Sequence, residues 1–252
     1  MDRPTTRPER PFFSSGPCGK PPGWSPDKLT VFFAGESAGA FGVLYNYHYA
    51  LDDLRWVNTM AVPDSGLALD NGGLGVAVLG SLITTETNPL GWGTKPYQPP
   101  YCLASNCAVG PILQMASPPR LEGTPFQRFL NLSNQVDDTQ VTTTLFPNAP
   151  AFINTLRTNY CALKDAPGIH FFHPASSTSI HTMLRSNTLF TTLTAGGVTL
   201  RDWLADAFAD PTNVVSHADE GTLVVDYPGV NPIACGGSPS GAFLMDITQI
   251  VD

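Results

Sequence analysis

Gly35-Glu36-Ser37-Ala38-Gly39 sets a serine among small residues where the sequence changes period. Ahead of it, residues 28–34 read Lys-Leu-Thr-Val-Phe-Phe-Ala, a β-branched and aromatic run suited to a strand buried on both faces. Behind it, Phe41, Leu44, Tyr45, Tyr47, His48, Leu51 and Leu54 recur at helical spacing. A G-x-S-x-G between strand and helix is a nucleophile elbow: the small neighbours permit a turn sharp enough to hold Ser37 in a strained conformation, with its hydroxyl out at the carboxyl end of the sheet. The helix starting at Ala38 then aims free N–H groups, that of Ala38 included, at an oxyanion formed beside Ser37. The chemistry expected is acyl transfer through a serine ester; the plainer alternative is a tight turn with Ser37 as a passive cap.

An alcohol is a poor nucleophile at neutral pH, so Ser37 needs a base and the base needs an orienting acid. Five histidines are available. His48 falls inside the helix after the elbow, and His217 lies in a weakly patterned region. His170 and His173 fall on opposite faces of an extended segment, which disfavours a shared metal, and no H-E-x-x-H occurs. His181 sits in a Ser/Thr-rich loop after a predicted strand, downstream of the other sheet elements. Asp137 and Asp138 follow a strand candidate and precede it, so serine, acid and histidine come in the chain order of α/β-hydrolases. Asp64, at the end of another strand, competes for the orienting role, but it follows the elbow so closely that Asp64-Ser65-Gly66 is expected instead to shape the wall of the substrate pocket.

Strands and helices alternate along the chain, which predicts a mostly parallel sheet in an α/β fold. Strands are expected at 28–34, 55–62, 129–134 and 169–172, with a further candidate at 222–227. Helices are expected from Ala38, over 149–163 and over 198–208, the last with Thr199 as N-cap and Asp202 in the capping-box position. Residues 87–119, rich in Pro and Gly and holding Cys102 and Cys107, read as a functional or capping loop. The expected organisation is a tail or leading loop over 1–26, an α/β-hydrolase-like catalytic domain over 27–210 and a weakly patterned C-terminal extension over 211–252.

Composition narrows the function classes. With 13 basic against 21 acidic side chains, a net charge of −8 and no basic cluster, the 252-residue chain has no footprint for nucleic acid or an anionic membrane. The longest apolar stretch, 72–83, is short and punctuated by glycine, so no membrane span is predicted. An apolar content of 42% with 13% charged residues supports a sizeable core, while 23 glycines and 24 prolines imply many turns. Five cysteines occur without a CxxC; Cys102 and Cys107 could close a small loop, and the odd count leaves one thiol free or paired outside the chain. Asn131-Leu132-Ser133 fits a glycosylation acceptor, and residues 1–26 lack the apolar core of a signal peptide.

In type and order these residues resemble the pectinacetylesterase/Notum family of carboxylesterases, which have an α/β-hydrolase fold. Gly35-Glu36-Ser37-Ala38-Gly39 corresponds to the family's G-x-S-A-G, Asp64-Ser65-Gly66 to D-[SA]-G and Asp137-x-x-Gln140 to D-x-x-Q. His181-Thr182 and Gly197-Val198-Thr199-Leu200-Arg201-Asp202-Trp203 are similar to the base and the G-V-x-L-x-D-W stretch of bacterial-type members. The resemblance spans roughly 29–208. It implies a three-layer fold with Ser37 as nucleophile, His181 as general acid/base and Asp137 as orienter, because the D-x-x-Q register lands there. Gly35, Glu36, Ala38 and Gly39 would form the elbow and oxyanion hole. It further implies O-acyl, chiefly O-acetyl, esters of a polysaccharide or related acylated molecule as substrate, no metal or cofactor, and secreted or periplasmic members. The family carries several strands and a Gly-rich G-G-[GA]-x-C/W segment before its elbow; the 36 residues ahead of Ser37 match neither, so the expected fold is incomplete at its N-terminus. Two further readings are a catalytically impaired module that binds an acylated glycan, and a lipase or thioesterase on the same scaffold.

Overall fold

A computed structural model describes residues 29–54, 57–67, 126–143, 146–166, 168–221 and 228–235. Strands β1 (Thr30–Glu36), β2 (Asn58–Asp64), β3 (Gln127–Leu132), β4 (Ile169–His173) and β7 (His217–Ala218) form a parallel sheet whose spatial order is their chain order. β1 and β2 pair along their whole length, from Thr30↔Asn58 to Glu36↔Asp64, so both strands end at one level. Both were expected, as were β3 and β4 to within a few residues at each end.

Strand periodicity sorts the core into two layers. Ala61, Phe129, Ile169 and Phe171 face one side. They meet Phe41, Leu44, Tyr47 and Leu51 of α1 (Ala38–Asp53) and Phe152, Ile153, Leu156, Tyr160 and Leu163 of α3 (Ala149–Leu163). Met60, Val62, Leu130, Leu132 and Phe172 face the other side, against Leu200, Trp203, Leu204 and Ala207 of α5 (Leu200–Ala209). This is an α/β fold with helices on both faces. Each large apolar side chain so buried contributes roughly 1.5–3 kcal/mol. Tyr47 carries a hydroxyl into its layer and satisfies it on Thr59 Oγ1 (2.9 Å) and the Arg128 carbonyl (3.1 Å).

Local signals explain the helix ends. Asn148 caps α3 by accepting the Ala151 N–H at 2.9 Å, with Pro150 in the first turn. Thr199 caps α5 by accepting the Asp202 N–H at 3.1 Å, the expected cap. That helix starts at Leu200 rather than Val198 because β6 (Val198–Thr199) pairs antiparallel with β5 (Thr194–Ala195). Gly196 and Gly197, both at positive φ (55° and 82°), make the turn between them. Two short helices, α2 (Asp138–Thr143) and α4 (Asn187–Thr192), were not anticipated.

The described part of the expected C-terminal extension is fastened to the domain. β7 extends the sheet beside β4 through Phe172↔His217 and His173↔Ala218. Asn154, Arg157 and Cys161 form a stripe along α3 that holds Gly221, Gly229, Asn231 and Cys235. Asn154 Nδ2 donates to the Gly229 carbonyl (3.0 Å) and Oδ1 accepts the Asn231 N–H (3.1 Å). Arg157 donates to the carbonyls of Gly221 (2.9 Å) and Asn231. Cys161 is disulfide-bonded to Cys235. Asn131 is fully buried within β3, so its tripeptide presents no acceptor on the folded surface. No helix among the described residues is long and apolar enough to cross a membrane. The expected strand at 222–227, the loop at 87–119, residues 1–26, Cys18, Cys102, Cys107 and the His48 side chain lie outside the described residues.

Candidate active site

Ser37 stands between the end of β1 and the start of α1, with φ 54° and ψ −118°. A non-glycine residue held there stores about 1–3 kcal/mol and persists only where its surroundings fix it. Its N–H donates to the Asp64 carbonyl at 2.8 Å, while its own carbonyl accepts from Ala40 (3.0 Å) and Phe41 (3.3 Å). Space explains two glycines. A Cβ on Gly35 would sit 2.3 Å from the Gly39 carbonyl oxygen, and one on Gly66 would sit 2.4 Å from Ala40 Cβ and 2.8 Å from the Ser37 carbonyl oxygen. A Cβ on Gly39 meets nothing within 4 Å among the described residues, so of the two glycines flanking the serine only Gly35 is sterically obligatory. Glu36 lies at the rim, half-exposed, its carboxylate 3.5 Å from the guanidinium of exposed Arg185. The Ala38 N–H belongs to the first turn of α1, where no intrahelical acceptor exists.

His181 reaches Ser37 from the segment after β4. Its Nε2 lies 2.8 Å from Ser37 Oγ, and its Nδ1 lies 2.9 Å and 3.1 Å from the two carboxylate oxygens of Asp137. The ring edge is accessible at 23% exposure, whereas Asp137 has none. An ionised Asp137 can only accept, so Nδ1 carries the proton of a neutral ring and Nε2 offers its lone pair to the serine hydroxyl.

The D-x-x-Q spacing has a physical explanation. Asp137 precedes α2 and caps it by accepting the Gln140 N–H on Oδ1 at 2.9 Å. Gln140 then reaches back: its Nε2 lies 2.8 Å from Asp137 Oδ2 and 3.0 Å from Ser133 Oγ. The carboxylate is thus oriented by its own helix before it meets the imidazole. Asp138 is exposed, its N–H bonded to Ser179 Oγ at 2.8 Å, and it does not take part.

Asp64 and Ser65, expected on the pocket wall, are fully buried behind the histidine loop. Asp64 Oδ2 accepts the N–H groups of Met183 (2.7 Å) and Leu184 (2.8 Å), and Oδ1 accepts the Ser65 hydroxyl (3.0 Å). Ser65 Oγ in turn accepts the Thr182 N–H at 3.0 Å. Burial pushes the Asp64 carboxyl above the ordinary carboxylate range, against the opposing pull of its bonds to Leu184, Ser65 and Met183. Sequence reasoning missed the roles of Ser65 and Ser133 in these networks.

His173 and His170 stay apart from this cluster. His173 is buried with Nε2 2.8 Å from Asn131 Oδ1, and burial lowers its pKa to about 3. Burial, with the nearby charge of Arg128, lowers His170 to about 4. Among the described residues no group of three or more His, Cys, Asp or Glu is placed to hold a metal ion.

Comparison with protein-family models and with curated protein sequences returns no match. Among solved structures the chain is similar to the Wnt deacylase Notum from Drosophila, with a TM-score of 0.47 and 15% identity. The overlap covers 76% of this chain and 57% of that one. A likeness at this level leaves function to the geometry of the site.

Proposed function

We propose that the protein is a serine carboxylesterase that hydrolyses O-acyl esters, with the O-acetyl groups of a polysaccharide or related acylated molecule as its substrate class. The observation that carries this reading is the unbroken relay from Asp137 through His181 to a serine held at positive φ. In the proposed cycle, Ser37 Oγ bonds to the ester carbonyl carbon as its proton passes to His181 Nε2, and Asp137 stabilises the imidazolium. The oxyanion faces the start of α1, where the Ala38 N–H can donate. Collapse breaks the bond to the alcohol, which leaves with the proton from His181. Water then attacks the acyl-serine with His181 again as base, releasing the carboxylic acid and restoring Ser37. The acetylated-glycan preference rests on the motif resemblance alone.

The test is hydrolysis of p-nitrophenyl acetate by the wild type and by Ser37→Ala. Loss of turnover in the variant, with a covalent adduct on wild-type Ser37 after fluorophosphonate treatment, supports the reading. Equal turnover in both proteins would sink it. A profile from acetyl to palmitoyl esters separates a short-chain esterase from a lipase, and acetate release from acetylated polysaccharides tests the carrier.

A further inference from the structure

Among the described residues, the non-glycine residues at positive φ are Ser37, Ser65 and Thr182 (54°, 60° and 62°), and all three converge on Asp64. Ser37 donates its N–H to the Asp64 carbonyl, Ser65 follows Asp64 and bonds its carboxylate, and Thr182 donates its N–H to Ser65 Oγ. A β-branched threonine in this region is a true conformational outlier, so its neighbours must hold it there. They do so by main chain: three successive N–H groups, of Thr182, Met183 and Leu184, end on Ser65 Oγ and Asp64 Oδ2. Thr182 directly follows His181, so a shift of this loop shifts the imidazole.

We propose that Asp64 is a positioning residue that sets nucleophile against base, its carbonyl fixing Ser37 and its carboxylate, relayed in part by Ser65, fixing the loop that carries His181. The inference rests on the esterase reading for its kinetic consequence, not for its geometry. A carboxylate suits this task because it accepts several N–H bonds at once and accepts them more strongly than an amide or hydroxyl oxygen. Asp137 orients the ring of His181, whereas Asp64 fixes where that ring stands. A reacting group displaced by about 1 Å can cost on the order of 10²-fold in rate.

The experiment compares Asp64→Ala, Asp64→Asn and Ser65→Ala in the full chain, reading kcat and KM on p-nitrophenyl acetate. It also reads the downfield proton resonance of the His181 Nδ1–H bonded to Asp137. Asp64→Ala is expected to lower kcat about 10²-fold with KM within twofold and to shift or broaden the resonance. Asp64→Asn, which keeps one acceptor for Met183 and Leu184, should recover part of both. Should Asp64→Ala fail to fold, Ser65→Ala decides: it leaves the carboxylate and its two amide bonds in place, frees Thr182, and is expected to cost roughly tenfold in kcat. Folded variants with unchanged kcat and resonance overturn the proposal, as does a kcat loss that only tracks the unfolded fraction. If the wild type hydrolyses no ester, the esterase reading fails alone, because the resonance still reports how His181 responds to Asp64.

Discussion

The elbow and the outer face of α3 are both built from polar side chains withdrawn from water, and they differ in what those side chains face. At the elbow, Ser37, His181 and Asp137 face one another through hydrogen bonds, with Ser37 held at positive φ. Along α3, Arg157 spends its donors on Gln135 Oε1 (2.7 Å) and on the carbonyls of Gly221 and Asn231. Gln135 passes its own N–H groups to the carbonyls of His173 (2.8 Å) and Asp219 (2.9 Å), and Cys161 is covalently closed. No group in that chain can change protonation near neutral pH. On the proposed esterase reading one cluster reacts and the other fastens, so substitutions should separate rate from stability.

The widest separation is expected from Asp137→Asn, which keeps the shape but turns one acceptor oxygen into an NH2 donor and so no longer fixes the tautomer of His181. Its kcat on p-nitrophenyl acetate should fall about 10⁴-fold with a melting temperature close to wild type; a loss below tenfold would remove the carboxylate from the mechanism. The mirror experiment is Cys161→Ser with Cys235→Ser. The bridge joins residues 74 apart, and closing a loop of that size restricts the unfolded chain by about 4 kcal/mol. The urea midpoint should drop accordingly while kcat per folded molecule stays unchanged, and a parallel loss of kcat would couple the two regions.

Within the elbow, the two glycines flanking the serine should part company. Gly35→Ala drives a methyl into the Gly39 carbonyl and is expected to cost about 1–3 kcal/mol or more, together with activity. Gly39→Ala enters open space in a helix and should be neutral or gain about 0.5–1 kcal/mol. Equal melting temperatures for the two would refute the steric account.

A further contrast lies in pH. His173 and His170 titrate far below an unfolded histidine, so below about pH 6.5 the unfolded chain binds more protons. Stability should therefore fall as pH drops toward 4, by up to about 1.4 kcal/mol per unit for each imidazole. Asp64 works the other way: its raised pKa gives a contribution fully present below the ordinary carboxylate value and lost as pH rises through the folded value. His173→Gln should flatten the acid-side loss and Asp64→Asn should steepen it, read from denaturation midpoints between pH 4 and 7.

What could be read from the sequence was what is encoded locally. Ser37 stands where the hydrophobic period switches, and α3 carries both an apolar stripe and Asn148-Ala149-Pro150 at its start. Position favours Asp137 and Asp138 over Asp64 as the orienting acid, and the family resemblance selects Asp137 through its D-x-x-Q motif, which the structure shows as a local capping arrangement. α4 was invisible because it buries none of its residues and so leaves no apolar period. β7, with two residues, is too short to make a pattern. The partner of Cys161 lies across a gap that spacing cannot bridge. Asp64 is expected on the pocket wall because it follows the elbow so closely; its bonds to main-chain N–H groups more than a hundred residues away leave no sequence signal, since any residue type except proline supplies one.

The hydrogen bond between Ser37 and His181 joins residues 144 apart, with the serine just after β1 and the histidine beyond β4. At a synthesis rate of about 5–20 residues per second, roughly 7–30 s pass between the two leaving the ribosome. Throughout that interval the serine is an ordinary alcohol without a base. On the proposed esterase reading, the order of the strands therefore leaves the growing chain without a His181-activated serine until that stretch has been made.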